Sequence, residues 1–513
     1  MQEPGQIAVW TEAGRDDAAA SVTFEQTTSG GLSVRIYAPG VALARVALRW
    51  NRAISTAARV LGDAWERGYG DLEWRGVCAE RPLPWYALIT DEITGETEGF
   101  GVATGAAAGA LASWRVDVAG ITLALDTRCG GCGAVLGDRV LNAATVHFVR
   151  GKGSFPTAQA LCQRLCPAPR LPFLPVYGAN DWYYIYGQNS AETVLRDAQI
   201  TRELSPSTQN APFQVIDAGW FPSVGCNGGP YVCGNEKFPD LPGLAQAIKE
   251  KDVRPGIWIR PLLTTETHPD DWFLPGGTYL DPSVPDVLNL VRDEVARLAH
   301  WGFALIKHDF STSDVVGRWG FEMTDGQMTR DGWAFADKTR TTAEVLHALY
   351  TAIREAAGSA LLIGCNTIGH LGAGLFEIQR TGDDTSGRHW ERTRKMGVNT
   401  LAFRMPQQGT FFAADADCVG LTNAIPWEKN RQWLDLLARS GTPLFISADP
   451  HALGTTQRDA LTEAFAVAAT VQNPAEALDW LHTTSPRHWR FGDGSEHTYD
   501  WSDFVGSVLV CPP

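Results

Sequence analysis

The chain has 513 residues, a formal net charge of −15 and a pI near 5.2, and its length allows two or three domains. The acidity argues against nucleic acid as a partner, because nucleic-acid binding needs a basic surface. No apolar run reaches the roughly 18 residues of a membrane-spanning helix, so no membrane contact is expected. No signal peptide is visible, which favours a cytoplasmic protein; a secreted or periplasmic one is the alternative if a leader was removed.

The aromatic content is high, with 19 tryptophans and 11 tyrosines. Core packing explains most aromatic residues in any protein. Sugar-binding sites also use aromatic faces, because the C–H faces of pyranose rings are apolar. The composition is therefore compatible with a carbohydrate ligand without demonstrating one.

The first 150 residues predict short strands with alternating polarity, separated by Gly, Asp and Thr, which is typical of a β-sandwich. A short helix over 157–166 and a proline-rich stretch over 167–172 follow. We therefore expect an N-terminal β-sandwich over 1–155 and a linker over 156–173. The candidate strands are 7–10, 21–24, 32–37, 41–50, 87–89 and 145–148.

From residue 175 apolar strands alternate with helices, which predicts an α/β fold with a parallel sheet. Eight strand–helix units fit a closed eight-stranded β/α (TIM) barrel over 174–472, followed by a short β-rich C-terminal segment over 473–513. A doubly wound open sheet would need a glycine-rich phosphate turn after an early strand, and none is present. The candidate strands are 176–180, 214–218, 254–260, 304–309, 360–366, 376–381, 410–415 and 444–448; the candidate helices are 191–204, 241–251, 283–301, 341–357, 388–396, 427–439 and 458–471.

Charged residues follow two of these buried strands. One apolar run ends in Lys307, His308 and Asp309, and a later strand continues into Asp383 and Asp384. The carboxyl ends of barrel strands meet in one cavity, and burying charge there without a role would cost stability. Two carboxylates brought into one cavity are the minimum equipment for cleaving a glycosidic bond.

Other strand ends also carry polar or aromatic residues. Each of them alone can be a helix cap or a surface group, but their occurrence at consecutive strand ends predicts a shared site. They are Asp181, Trp182, Asp217, Trp220, Trp258, Arg260, Cys365, Asn366, Arg380, Asp415, Asp417 and Asp449.

Six motifs between residues 175 and 449 resemble, in the same order, those of the α-galactosidase clan, glycoside hydrolase families 27 and 36. The resemblance implies a β/α barrel behind an amino-terminal β-sandwich, and a retaining glycosidase. The motifs are 214–220 (similar to D-D-G-W), 236–240 with 244–258 (the approach to the third strand), 280–282 with 307–309 (K-x-D), 380–385 (R-x-x-x-D), 415–419 (D-P-D-M-L) and 443–449 (P-L-x-x-S-x-D).

The resemblance also implies catalytic roles. Asp309 would be the nucleophile, and Lys307 would bind the sugar and keep Asp309 ionised by its positive charge. The acid/base would be Asp384, counted four residues after Arg380, with Asp383 as the alternative. An acid needs a raised pKa, and a retaining pair is expected about 5 Å apart.

Further residues are implied to hold the sugar. Asp217 would accept hydrogen bonds from hydroxyls, three tryptophans would form apolar walls, Arg380 would bind substrate or orient a carboxylate, and Asp417 would lie near the nucleophile. The predicted substrate-binding residues are Trp182, Asp217, Trp220, Trp258, Lys307, Cys365, Asn366, Arg380 and Asp417.

No metal or organic cofactor is expected. The single C-x-x-C motif, Cys129 to Cys132, has no second pair, and the histidines lack metal-ligand spacing. Cys226 and Cys233 flank a glycine-rich loop, where they either pair or line it.

Two residues depart from the clan pattern. Ala218 stands where galactose-binding members usually carry a second aspartate, and the missing contact is worth about 1.5–3 kcal/mol. His308 stands where other members carry an aromatic residue. The sequence therefore predicts an α-glycosidase acting on α-galactosides or a closely related sugar, such as one lacking the C6 hydroxyl.

Three alternatives stay open. One is a transglycosidase of the same clan that passes the galactosyl group to a sugar acceptor. Another is a β-L-arabinopyranosidase or other-sugar glycosidase, and a third is a non-catalytic carbohydrate-binding barrel. The expected partner is an oligosaccharide or glycoside, and a homo-oligomer is left open.

Overall fold

The computed structural model describes residues 2–223, 226–324 and 328–502. Two antiparallel sheets come first in the chain. A parallel sheet surrounded by helices comes next, and a small antiparallel sheet ends the described part.

The two antiparallel sheets have the strand orders β2-β1-β5-β12-β11-β8, with β13 also paired to β5, and β3-β4-β14-β10-β9-β6-β7. They pack on each other where Phe100 and Trp114 meet with ring centroids 6.1 Å apart. The strands are β1 (Gln6–Thr11), β2 (Gly14–Arg15), β3 (Ser21–Gln26), β4 (Leu32–Tyr37), β5 (Ala42–Asn51), β6 (Arg59–Gly62), β7 (Arg75–Gly76), β8 (Leu83–Pro84), β9 (Tyr86–Thr90), β10 (Glu96–Val102), β11 (Leu111–Asp117), β12 (Gly120–Asp126), β13 (Ala134–Val135) and β14 (Val140–Lys152).

The parallel sheet has nine strands in the order β21-β20-β19-β18-β17-β16-β15-β23-β22. All eight predicted strands are present, most of them shorter than predicted. The strands are β15 (Tyr177–Asn180), β16 (Phe213–Ile216), β17 (Arg254–Ile259), β18 (Leu305–His308), β19 (Leu361–Gly364), β20 (Ile378–Arg380), β21 (Ala413–Asp415), β22 (Cys418–Leu421) and β23 (Leu444–Ala448).

The two edge strands of this sheet are neighbours along the chain. Only Ala416 and Asp417 separate β21 from β22, so the two edges of the sheet lie within about 10 Å of each other. Asp417 has a positive φ of 72° and divides the seventh position of the sheet into β21, which lies within the predicted strand 410–415, and β22, which was not predicted. A parallel sheet whose edges meet in this way fits a TIM-barrel-like fold.

The helices cover the parallel sheet, apart from α1, which packs on the second antiparallel sheet. Gly99 and Gly101 leave room for Leu161 and Leu165 of α1, because a Cβ at either glycine would lie within 3.0 Å of a leucine methyl. The helices are α1 (Ser154–Leu165), α2 (Trp182–Ile185), α3 (Ala191–Leu204), α4 (Leu241–Lys249), α5 (Pro285–His300), α6 (Ser311–Val316), α7 (Thr342–Ala356), α8 (Gly369–Gly372), α9 (Trp390–Arg392), α10 (Thr400–Arg404), α11 (Trp427–Arg439) and α12 (Thr455–Ala468), with a π-helical stretch (Thr393–Asn399) between α9 and α10 and 3-10 turns at Gly105–Ala107, Asp270–Trp272, Gly320–Glu322, Met405–Gln407 and Pro450–Ala452.

A small sheet, β24 (Glu476–Ala477), β25 (His488–Arg490) and β26 (Glu496–Thr498), follows the helices. The rest of the predicted C-terminal segment, residues 503–513, lies outside the described residues. No helix in the described part of the chain is long and apolar enough to cross a bilayer. Cys226 and Cys233 both carry free thiols, so of the two alternatives the structure has them unpaired.

Candidate active site

Asp309 directly follows β18 and is held by three neutral donors. The indole Nε1 of Trp258 donates to Oδ2 at 3.0 Å, and the backbone N–H groups of Phe310 and Asn366 donate to Oδ1 at 2.7 and 3.2 Å. Phe310 has a positive φ of 64°, an uncommon conformation for a large side chain, at the turn into α6. The turn thereby orients the Asp309 carboxylate. Among the described residues, Asp309 has no ion-pair partner, because the nearby Lys307 pairs with Asp217.

Lys307 lies two residues before Asp309 and is buried, as strand alternation predicts. Its Nζ makes an ion pair of 2.7 Å with Oδ2 of Asp217, which also accepts from Asn180 at 2.7 Å. Burial opposes the charge on Lys307, but the negative groups around it, Asp217 first, hold its pKa well above the ordinary value. The direct partner of Lys307 is therefore Asp217, and its charge reaches Asp309 from a greater distance than the sequence suggested.

Arg380 is the last residue of β20 and is almost completely buried. Its Nη2 lies 2.9 Å from Oδ2 of Asp417 and 3.2 Å from Oδ1 of Asp384, and its Nη1 donates to the Cys365 sulfur at 3.4 Å. Asp417 in turn accepts hydrogen bonds from Tyr183 and from the backbone and hydroxyl of Thr385. One guanidinium thus joins three strand ends, and the arrangement makes it an orienting group for carboxylates.

The two adjacent aspartates differ in their partners. Asp383 is clamped between two arginines, with Oδ1 at 2.9 Å from Arg67 and Oδ2 at 3.0 Å from Arg392, and its side chain is 15% exposed. Asp384 has a single ion pair, with Arg380, and its side chain is 42% exposed. Asp384 is therefore the carboxylate that can reach a bound molecule.

The charge state of Asp384 differs from the sequence expectation. Burial favours its neutral form, but the positive charges of Arg380, Arg67, Lys307 and Arg392 outweigh this and lower its pKa to about 2. The expectation of a raised pKa for Asp384 is therefore wrong for the protein without substrate. The sequence did not show how many positively charged side chains surround this carboxylate.

A cavity of about 730 Å³ opens beside the end of β16, the second strand of the parallel sheet along the chain. Trp182 and Ala218 line it, together with polar residues of the loop that follows β16, such as Asn235. The Ala218 methyl leaves open the place where a second aspartate would stand. The predicted departure at residue 218 therefore lies on the wall of an accessible cavity.

The remaining predicted site residues have mixed positions. Trp258 contacts Asp309 through its indole N–H and stacks on Phe221. Trp220 is completely buried behind it and donates to the Trp258 carbonyl at 3.0 Å, so it supports the site instead of facing a ligand as predicted. Asn366 is completely buried, and neither side-chain amide atom has a hydrogen-bond partner among the described residues.

His308 faces away from the cluster formed by its neighbours Lys307 and Asp309. It is fully buried, its ring meets the edges of Tyr350 and Phe376, and neither ring nitrogen has a hydrogen-bond partner among the described residues. Burial lowers its pKa to about 3, so the ring is neutral. His308 thus occupies the place of an aromatic core residue, which explains how it can replace one.

Several residues of the cluster were not assigned roles from the sequence. Arg67 lies in the loop between β6 and β7, and no motif connects it with Asp383. Asp181 accepts from the backbone N–H of Asp217 at 2.8 Å, and burial together with the Asp217 charge raises its pKa to about 7. The position of Asp181 at the end of a predicted strand could have indicated a role in the site, whereas nothing in the sequence around Arg67 does.

Comparisons with known proteins bear on the fold. No protein-family model matches the chain. Similar solved structures are those of α-galactosidases. TtGalA from Thermus thermophilus, in complex with p-nitrophenyl α-D-galactopyranoside, is 17% identical, with 93% of this chain and 99% of that chain covered and a TM-score of 0.63. The chain has the fold of the α-galactosidases.

Two further structures support the same fold. The family 36 α-galactosidase AgaA from Geobacillus stearothermophilus is 15% identical, with 90% of this chain and 75% of that chain covered and a TM-score of 0.58. The α-galactosidase from Lactobacillus brevis is 13% identical, with 90% and 72% covered and a TM-score of 0.58. The resemblance to the α-galactosidase clan that the sequence motifs indicated is confirmed.

The burial of His308 predicts a pH-dependent stability. Since its pKa falls from 6.5 to about 3 on folding, the unfolded chain takes up a proton below pH 6.5 that the folded chain does not, so stability is lost as the pH falls. His308→Phe removes this loss. Between pH 8 and pH 5 we therefore expect the wild type to lose about 2 kcal/mol more of its free energy of unfolding than the variant loses. Urea unfolding followed by tryptophan fluorescence measures the difference.

The matched control for this experiment is His300→Ala, at an exposed position near the end of α5. It should keep the wild-type pH dependence. Equal pH dependence in the His308→Phe variant and the wild type would show that His308 accepts a proton inside the folded protein.

Proposed function

We propose that the protein is a retaining α-glycosidase that removes a terminal α-galactosyl group or a closely related sugar. The fold of the α-galactosidases supports this proposal. The observation that carries it is the pattern of charge pairing at the strand ends. Lys307 pairs with Asp217, Arg380 with Asp417 and Asp384, and two arginines with Asp383, whereas Asp309 is held by neutral donors alone and Asp384 keeps 42% of its side chain exposed.

In the proposed reaction Asp309 attacks the anomeric carbon. A bond forms between its oxygen and that carbon, the glycosidic bond breaks, and its electron pair stays on the departing oxygen, which takes a proton from Asp384. Asp384 then takes a proton from water, the water oxygen bonds to the anomeric carbon, and the ester to Asp309 breaks. Two inversions leave the configuration of the sugar unchanged.

The other charged groups would hold the sugar and the two catalytic carboxylates. Asp217 with Lys307 presents a buried acceptor and donor to sugar hydroxyls, and Trp258 orients Asp309 by its hydrogen bond. Trp182 would form an apolar wall. We propose the same role of hydroxyl binding for Asn366, whose amide has no other partner among the described residues, whereas Cys365 and Asp417 would act on the substrate mainly through Arg380.

The geometry favours Asp384 over Asp383 as the acid/base. Both carboxylate oxygens of Asp383 are held by guanidinium groups, and its side chain is 15% exposed. Asp384 has one ion pair, with Arg380, and has the larger exposed surface. Asp383 is in this proposal a structural anion.

A second candidate substrate follows from Ala218. With alanine on the cavity wall, a sugar that lacks the C6 hydroxyl, such as β-L-arabinopyranose, loses no contact relative to galactose. The same pair of carboxylates would serve a transglycosidase, in which a sugar hydroxyl replaces water in the second step. Product analysis with excess acceptor separates transfer from hydrolysis.

We further propose that the parallel sheet is a closed eight-stranded barrel over 174–472. In this proposal a β-sandwich over 1–155 precedes it and a β-rich segment over 473–513 follows. The substrate would be an oligosaccharide or glycoside, and no cofactor is required for the two steps.

The nucleophile is tested by Asp309→Ala. We expect loss of essentially all turnover of p-nitrophenyl α-galactoside, because no other group can form the ester, and partial recovery with azide or formate, which fit the vacated space. Liberated nitrophenol is measured with and without the anion. Asp117→Ala, which breaks an ion pair of the amino-terminal sheets, is the control and should remain active; turnover in Asp309→Ala at the wild-type rate would refute the assignment.

The acid/base is tested by Asp384→Ala against Asp383→Ala. Asp384→Ala should retain activity on substrates with good leaving groups, such as nitrophenolate, and lose it on raffinose-like substrates, whose leaving oxygen needs a proton. In the wild type the lowered pKa of Asp384 makes its protonated fraction fall tenfold per pH unit, so kcat/KM for poor leaving groups should rise towards acid pH. If Asp383→Ala alone gives the leaving-group dependence, the roles are reversed.

Substrate choice is tested by Ala218→Asp. A carboxylate on this wall should improve kcat/KM for α-galactosides relative to β-L-arabinopyranosides by roughly ten- to a hundredfold, since a charge-assisted hydrogen bond to the C6 hydroxyl is gained. Ala218→Asn has the same size without the charge and should give a smaller gain. An unchanged ratio in both variants would show that residue 218 does not face C6.

A further inference from the structure

A segment of the antiparallel part of the chain, residues 63–72, reaches the end of β20. The Gly68 N–H donates to the Thr381 carbonyl at 2.8 Å, and the Asp383 N–H donates back to the Gly68 carbonyl at 2.9 Å. A Cβ at Gly68 would lie 2.7 Å from the Thr400 methyl, so only glycine allows this approach. The segment thereby continues the parallel pairing beyond the last residue of the strand.

Buried charges fix this segment in place. Arg404 of α10 donates to Asp63 at 2.7 Å, to the Glu66 carbonyl at 2.8 Å and to the Thr381 carbonyl at 3.0 Å. All three nitrogens of one guanidinium donate hydrogen bonds at the contact between the two parts of the chain. Residues 63–68 therefore have a defined position relative to Asp383.

The Arg67 side chain is held on three sides. Its Nη2 lies 2.9 Å from Oδ1 of Asp383, and its guanidinium carbon lies 5.4 Å from the ring centre of Trp319 and 5.7 Å from that of Tyr69. The side chain is 7% exposed. A planar cation enclosed by two rings and by the carboxylates of Asp383 and, at 4.0 Å, Glu66 has little freedom to move.

We infer that Arg67 is a positioning residue for the Asp383–Asp384 pair. Arg67 holds Asp383 in an ion pair, so that Asp384 alone faces the substrate. The inference rests on the proposed function, because it assigns Asp384 the acid/base role. It makes the amino-terminal sheets part of the catalytic apparatus, through one side chain that contacts no reacting atom.

The charge of Arg67 also acts on Asp384 directly. Burial favours the neutral carboxyl, and Arg380 and then Arg67 are the cations that oppose it most strongly. Removing Arg67 should therefore raise the pKa of Asp384. The charged and titratable groups that face Asp384 are Arg67, Tyr183, Lys307, Arg380, Asp383, Arg392 and Asp417.

The test compares Arg67→Met and Arg67→Gln, which both lose the charge, with Arg67→Lys, which keeps it. For a substrate with a poor leaving group, the fall of kcat/KM with rising pH should move upward by about one pH unit in the Met and Gln variants and return towards the wild type in the Lys variant. The limiting kcat on the acid side of the profile should fall for the poor leaving group, because Asp384 is less well positioned, and stay near the wild-type value for nitrophenolate.

Arg49→Met is the matched control, because Arg49 makes a two-pronged ion pair with Asp117 inside the antiparallel sheets. It should leave both the pH profile and the leaving-group dependence unchanged. If the Arg67 variants lose activity equally on both substrates with an unmoved pH profile, Arg67 has a structural role alone and the inference is overturned.

A second readout does not depend on turnover. The carboxyl ¹³C signal of Asp384, assigned by its loss in Asp384→Asn, can be titrated in the wild type, Arg67→Gln and Arg67→Lys. An upward shift of the Asp384 titration in Arg67→Gln supports the inference, and coinciding titrations overturn it. If the wild type hydrolyses no glycoside, the proposed function is refuted. The titration would still show whether the charge of Arg67 lowers the pKa of Asp384.

Discussion

The buried guanidinium of Arg380 sets the constraint on which the rest of the candidate site depends. A charge removed from water is tolerated only with anionic partners in good geometry, so two carboxylates must reach it. Asp417 supplies the first from the break between β21 and β22, where its positive φ turns the chain, and Asp384 supplies the second from the loop after β20. The need to satisfy one cation thus fixes the relative positions of three chain segments.

The surrounding charges then separate into paired and reactive groups. Lys307 with Asp217, and Arg67 and Arg392 with Asp383, form units whose charges are compensated locally. Asp309 accepts hydrogen bonds only from neutral N–H groups, which orient the carboxylate without compensating its negative charge. This difference between Asp309 and the carboxylates that are paired with cations is the strongest structural argument for Asp309 as the proposed nucleophile.

Strand alternation made Lys307 and Asp309 predictable, because residues two apart on a buried strand share a face and the strand end had to open into the cavity. The same alternation sends His308 to the opposite face, into aromatic packing. The choice between Asp383 and Asp384 depends on Arg67 and Arg392, and the long loop that brings Arg67 to Asp383 leaves no local pattern. Strand β22 was missed for a related reason, since nothing in the composition of this segment signals that the chain turns at Asp417, with its positive φ, and then forms a second strand.

The low pKa of Asp384 in the free protein is compatible with its proposed double role. A sugar that covers its exposed side removes water and disfavours the carboxylate, which raises the pKa in the Michaelis complex, where a proton must be donated. In the proposed second step Asp384 must have lost its proton to activate water, and the positive charges of Arg380, Arg67, Lys307 and Arg392 favour this carboxylate form. The cluster of cations therefore favours the second step, and substrate binding must supply the change that permits the first.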